Sequence, residues 1–332
     1  MDAYVIFVII ICFFLAFAIG AQEETMSTTL GSGSLRVKHA LFIGAVLIFL
    51  GSLLLSENVG KTLGANIITD KIEYSDSMMY AVLIISIIWL IIGATTGVPI
   101  SLNQTVVSCI LGVILVESIF STYNFFQIFN MGQFLLILLG WVLGPILVYL
   151  LSAFAQYVVH VTVHTRITGI LDANRKESVF RWLLVAFVSL NQFSTAGNQA
   201  GNTLGMIYGL QVRGSISASV VFILALSIAL LYVLGFLIFG KNLIVGLGKT
   251  MGNMRPSETL SVEFAGSLML FITTYIGLPV SGAQILIFSL MGTKRMRGEK
   301  VDRKALTKMI KTWLALIPLS VAAAGMIYVI IR

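Results

Sequence analysis

The sequence predicts an all-α polytopic membrane protein of two inverted-topology repeats, each of about five transmembrane segments with broken or re-entrant helices, and with N-terminus and C-terminus outside. Three observations predict it. Only 11% of the 332 residues are charged and 58% are hydrophobic, where a soluble domain has about 25% charged residues. The charge-free stretches are long enough to cross a bilayer. A short polar motif recurs at a spacing of 180 residues, with an odd number of segments per half between its copies.

No Asp, Glu, Lys or Arg occurs in 3–22, 39–56, 77–116, 118–165, 182–212, 214–240, 264–293 or 312–331. A spanning helix takes about 20 apolar residues, so the longest runs cross twice. Gly97-Val98-Pro99 and Gly277-Leu278-Pro279 mark breaks, because proline cannot continue a helix. The expected segments are 3–20, 39–56, 77–94, 101–118, 132–158, 181–209, 214–239, 258–277, 280–293 and 312–331. Of these, 181–209 reads as irregular and 280–293 as too short for a simple span. The organisation expected is a first repeat over 1–158, a cytoplasmic linker over 159–180 and a second repeat over 181–332. Only Met1 and Asp2 precede the first apolar run, which does not fit a cleaved signal peptide. Cys12 and Cys109 lie in apolar runs, which excludes a disulfide scaffold.

The formal charge of +7 is an orientation signal. With the N-terminus outside, the segments 21–38, 159–180, 240–256 and 294–311, with Arg181 at their edge, hold 17 of the 21 Lys and Arg residues. That asymmetry follows the positive-inside rule. The cluster Lys294, Arg295, Arg297, Lys300, Arg303 and Lys304 faces anionic lipid heads in this arrangement, and nucleic acid is not an expected partner.

Gly97-Val98-Pro99-Ile100-Ser101-Leu102-Asn103-Gln104 matches Gly277-Leu278-Pro279-Val280-Ser281-Gly282-Ala283-Gln284 in its glycine, proline, serine and glutamine. A second polar patch precedes each copy, Gly20-Ala21-Gln22-Glu23 and Gly197-Asn198-Gln199. Inverted repeats of this kind build many secondary transporters, with the site at the bilayer midplane. Proline favours the first helical turn, so each motif starts a helix whose unpaired N–H groups and positive dipole end face the membrane interior. Ser101 and Ser281 sit in those turns and can present donors to an oxyanion; Gln104 and Gln284 follow one turn later. Asn103, Asn198 and Asn202 complete the expected anion set, and Gln22, Glu23 and Gln199 the cation set, with a sodium at Glu23 as the one metal considered. A lone serine or amide in such a helix is most often a packing or hydrogen-bonding residue; the paired recurrence favours a site.

Other features read as bland. Glu117 and Glu263 lie near expected helix ends and read as snorkelling or structural, whereas one of Glu23 and Glu24 is expected to function. His160 and His164 are one turn apart without a carboxylate or cysteine, so no metal site is expected. Gly246-Leu247-Gly248-Lys249-Thr250 imitates a phosphate loop, but Leu243 stands where its first glycine belongs, and a short basic turn is expected. No nucleophile–base pair suggests an enzyme.

These residues resemble the inorganic phosphate transporter family, which includes phosphate and sulfate permeases and carries duplicated Gly-Ala-Asn-Asp-x-x-Asn and Pro-Val-Ser-Thr-Thr-His motifs. Ser194 to Gly205 looks like the second copy of the former, with Asn198 and Asn202 retained, and Phe17 to Glu23 resembles the first, followed by Gly31-Ser32-Gly33-Ser34-Leu35. Pro99 and Pro279 match the Pro-Val-Ser halves, and Lys311-Thr312-Trp313 to Pro318 is similar to the family's last helix. The departures are Glu23 and Gln199 where the family has Asp, and Leu102-Asn103-Gln104 and Gly282-Ala283-Gln284 where it has Thr-Thr-His. The resemblance implies cation-coupled import of phosphate across the plasma membrane by alternating access, with sodium or a proton as coupling ion and no other cofactor. A sulfate permease is the first alternative, because neutral donors lack the carboxylate that selects a protonated oxyanion. An anion channel or a non-transporting anion receptor is the second. The lipid bilayer is a partner in each case, and a homo-oligomer is left open.

Overall fold

The computed structural model describes residues 2–96, 100–162, 169–250, 255–300 and 303–332. Apart from turns and one bridge between Ile68 and Phe129, these residues form helices. The first half comprises α1 (Ala3–Ala21), the short α2 (Ser27–Gly31), α3 (Val37–Leu54), α4 (Ser56–Lys61) continuing as a π-helical turn (Thr62–Asn66), α5 (Asp76–Thr96), α6 (Leu102–Phe120), α7 (Phe125–Ile128) and α8 (Met131–Thr162). The second comprises α9 (Ile170–Val212), α10 (Ala218–Gly235), a π-helical turn (Phe236–Gly240), α11 (Lys241–Thr250), α12 (Pro256–Tyr275), α13 (Gly282–Met296) and α14 (Arg303–Ile331). Among the described residues seven stretches are long and apolar enough to cross a membrane: Ala3–Ala21, Val37–Leu54, Asp76–Thr96, Leu102–Phe120, Met131–Thr162, Ala218–Lys249 and Leu306–Ile331. Large apolar side chains such as Phe42, Phe154 and Phe222 point outward on these helices, as they do toward lipid. The chain is a multi-pass membrane protein.

Each expected segment is occupied by a helix, with three differences. The stretch 181–209 is not irregular but part of one unbroken 43-residue helix, about 65 Å long at 1.5 Å per residue. Its Gly197, Gly201, Gly205 and Gly209 recur every four residues on one face. There α4, its π-helical turn and α5 press in, so that a Cβ would run into Leu55, Val59, Leu63 or Met79. The glycines serve close packing, not breakage. Because α8 runs to Thr162 and α9 starts at Ile170, most of the expected linker is helical. The expected turn at Gly246–Thr250 is helical as well: it ends α11, whose Gly248 packs on Leu30 and Ser27 of α2. The expected short segment is short, since α13 has 15 residues, about 22 Å.

The core packing recurs in reciprocal pairs. The α6 helix packs on α14 and α13 on α8; α3 packs on α9 and α1 on α10. At the first two crossings a Cβ on Gly112 would collide with the Val321 carbonyl, and one on Gly292 with that of Tyr149. At the other two, Gly51 meets the Phe193 carbonyl and Gly235 that of Phe17.

Candidate functional site

The helix starts are set by their caps. Ser101 and Ser281 are the N-cap residues of α6 and α13, in extended backbone conformation, and each hydroxyl accepts the N–H three residues on, Gln104 at 3.3 Å and Gln284 at 3.4 Å. This is how a serine satisfies one of the orphan donors of a first turn. Before α13, Gly277 adopts φ +79°, and the strap Leu278–Val280 is tied down from three helices. Asn198 of α9 donates to the Leu278 carbonyl (3.0 Å) and accepts from the Val280 N–H (3.3 Å). Trp141 of α8 donates to the Pro279 carbonyl at 2.8 Å, and Asn103 of α6 donates to the Val280 carbonyl. The first-half Gly97-Val98-Pro99 lies outside the described residues.

Both capped helix starts border one cavity of about 610 Å³. Of the expected site residues, Gln22, Glu23, Ser101, Asn103, Gln199 and Ser281 line it. Gln104, Gln284, Asn198 and Asn202 do not. The two glutamines are buried behind the helix starts. The two asparagines are engaged in packing: Asn198 donates to Thr274 (3.0 Å), and Asn202 donates to Asn103 Oδ1 (2.6 Å) and to the Gln199 carbonyl (3.1 Å). Residues not singled out also line the cavity, namely Thr25, Ser27, Thr28, Asn191 and Thr195. Asn191, Thr195 and Asn198 form a polar stripe at helical spacing on α9, and that spacing was the available signal.

Three carboxylates line the cavity, and no Lys, Arg or His does among the described residues. Glu23 is 2% exposed. It accepts from the Tyr232 hydroxyl at 2.5 Å and from the Thr25 hydroxyl and N–H at 2.6 and 3.2 Å, so three donors converge on it. Glu263 is neither snorkelling nor at a helix end. It is 1% exposed, two turns inside α12, and accepts from Asn191 Nδ2 at 2.6 Å. Glu117 is structural as expected, bonded to the Tyr328 hydroxyl (2.6 Å) and to Arg332 (3.5 Å). Among the described residues no group of three His, Cys, Asp or Glu side chains has a metal-binding arrangement; His164 of the histidine pair lies outside them. The cavity therefore combines neutral donors and two helix N-termini, suited to an oxyanion, with carboxylates suited to a cation.

The profile of the phosphate transporter family matches residues 19–324. The chain is 23% identical to the "Probable low-affinity inorganic phosphate transporter" of Bacillus subtilis, over 93% of this chain and 91% of that protein. It is 24% identical to a protein described in the same words from Rhizobium meliloti, over 99% and 98%. A solved structure described as "The sodium-dependent phosphate transporter" superposes with a TM-score of 0.85 at 21% identity, covering 99% of each chain, which establishes the fold. Such relatives agree with the expectation that the chain is not an enzyme. With the family profile spanning nearly its whole length, from the first polar patch to the last helix, this chain belongs to the phosphate transporter family.

Proposed function

We propose that the protein imports inorganic phosphate by cation-coupled alternating access. The observation that carries the reading is the convergence of Ser101 and Ser281, the caps of two broken-helix starts, with the Glu23 carboxyl on one cavity. Ser101 and Ser281 with the first-turn amides hold the anion; Asn103 can add only its backbone N–H, because both of its side-chain N–H groups are donated to Asn198 and Val280. Glu23, flanked by Gln22 and Gln199, holds the cation, whose charge offsets the carboxylates that would otherwise repel phosphate. Sodium is the first candidate, since the solved relative is described as sodium-dependent.

Two inverted halves supply the movement in this reading. Ser101 and Ser281 are 180 residues apart, and so are Gly112 and Gly292. The two glycines meet the backbones of α14 and α8 in the same way, which supports an internal duplication. The concentration of Lys and Arg in the expected cytoplasmic loops supports both termini lying outside.

The test is radiolabelled phosphate uptake into vesicles containing the purified protein, with and without sodium and proton gradients and with unlabelled sulfate as competitor. Concentrative uptake driven by one gradient is expected. Flux that only dissipates a phosphate gradient would identify a channel instead, and binding without flux a receptor.

A further inference from the structure

The charge and size of the cavity exceed what phosphate alone requires. Its volume of about 610 Å³ corresponds to roughly twenty waters at ~30 Å³ each, whereas phosphate has five heavy atoms. Unused room lies beside the oxyanion donors. A Cβ built on Gly282, next to Ser281, would find nothing nearer than Thr195 Cγ2 at 4.0 Å. Leu270, Ile285 and Leu286 give the cavity an apolar portion of wall beside its polar lining.

The three carboxylates differ in how they are satisfied. Glu23 has three donors and Glu263 has the Asn191 amide. Glu24 also lines the cavity, yet among the described residues no hydrogen bond or ion pair reaches its carboxylate. Among the described residues the other ionisable groups on the cavity are Glu23 on its own loop and Glu263 of α12, and the Tyr232 phenol of α10 bonds Glu23; the lysines of α11, Lys241 and Lys249, are exposed and line no part of the cavity. A carboxylate facing a cavity that no cation among the described residues lines is matched by a cation in the ligand.

Resting on the oxyanion site proposed above, we infer that the cavity accepts small zwitterions, a tetrahedral phosphonate joined by a short alkyl chain to an ammonium, with Glu24 as the ammonium's partner. The phosphonate takes the donors that hold phosphate, the alkyl chain lies along the apolar wall, and the tethered ammonium brings the positive charge that phosphate obtains from a separate cation.

The experiment compares 2-aminoethylphosphonate with ethylphosphonate, which has the same head and chain length but no ammonium. Both are titrated against the purified protein by calorimetry and as competitors of phosphate uptake in vesicles. In the unmodified protein the aminoalkyl compound is expected to bind at least about tenfold more tightly. In Glu24→Gln the ratio is expected to fall below about twofold, and Gly282→Leu, which fills the free space, is expected to weaken both phosphonates more than phosphate. Equal affinities in the unmodified protein, or a ratio unchanged by Glu24→Gln, would overturn the inference. Absence of phosphate uptake and binding with the affinity ratio intact would instead sink the phosphate reading and leave this one standing.

Discussion

The carboxamide of Asn103 on α6 donates to Oδ1 of Asn198 on α9 at 2.8 Å, and its own Oδ1 accepts from Asn202 at 2.6 Å. The same Asn198 and Asn103 hold the strap before α13, so one buried amide chain fixes the start of the second broken helix against the first. Interhelical hydrogen bonds of this kind contribute about 1–2 kcal/mol each in model systems. Asn103→Ala is therefore expected to lower the thermal midpoint of the purified protein. Asn103→Ala with Asn198→Ala should cost clearly less than the sum of the two single changes, as coupled partners do. Additive losses would show that the two amides act independently.

Ser101 and Ser281 each lose two roles on truncation. Removal of an N-cap hydroxyl costs roughly 1 kcal/mol of local helix stability, and a hydrogen bond to a charged ligand is worth about 1.5–3 kcal/mol. Ser101→Ala and Ser281→Ala should each weaken phosphate uptake by about tenfold or more while the protein remains folded by circular dichroism. Unchanged uptake from both would remove the assigned anion site.

How far the site was legible in the sequence depends on which physical signal each residue carried. The spans were readable because charge is excluded from lipid-facing helices, and the two helix starts because Gly-x-Pro-x-Ser leaves few alternatives. Glu263 was expected near a helix end, as a snorkelling or structural residue; the start of α12 at Pro256 was placed two residues too late, and its buried bond to Asn191 leaves the structural alternative. Gln104 and Gln284 share a helix face with the serines by spacing. The cavity, however, ends at the first turn of α6 and follows the Ile285 and Leu286 side of α13, which leaves both glutamines buried in packing, a fact of tertiary packing that periodicity does not contain. The stretch 181–209 read as irregular, and its four glycines could not correct that reading, because a sequence does not distinguish a glycine that breaks a helix from one that admits a neighbour.

Glu23 is held by donors from two elements, the Thr25 loop and Tyr232 of α10. Glu23→Gln removes the charge and turns an amide N–H₂ toward donors on one side. The expected result is loss of the sodium or proton dependence of uptake, with gradient-driven accumulation down by at least about tenfold. Tyr232→Phe, which removes one of three donors, should have a smaller effect in the same direction, consistent with roughly 1.5–3 kcal/mol for one bond to a charged group. Full gradient dependence in Glu23→Gln would place the coupling ion elsewhere.

The paired glycines give a test of the duplicated architecture that does not depend on transport. At Gly112 and Gly292 a methyl group would press on backbone carbonyls of α14 and α8, which cannot move aside as a flexible side chain could. Overpacking of this kind costs about 1–3 kcal/mol. Gly112→Ala and Gly292→Ala should therefore lower the thermal midpoint by similar amounts, because equivalent crossings bear equivalent strain. Gly246→Ala is the counterexample: it lies inside α11 with nothing within 4 Å of the added carbon, and alanine is favoured over glycine in a helix by about 1 kcal/mol. It should be neutral or slightly stabilising. A large loss at Gly112 with none at Gly292 would mean that the two crossings are not equivalent, and the pairing of α6 with α13 and of α14 with α8 across the halves would fall with it.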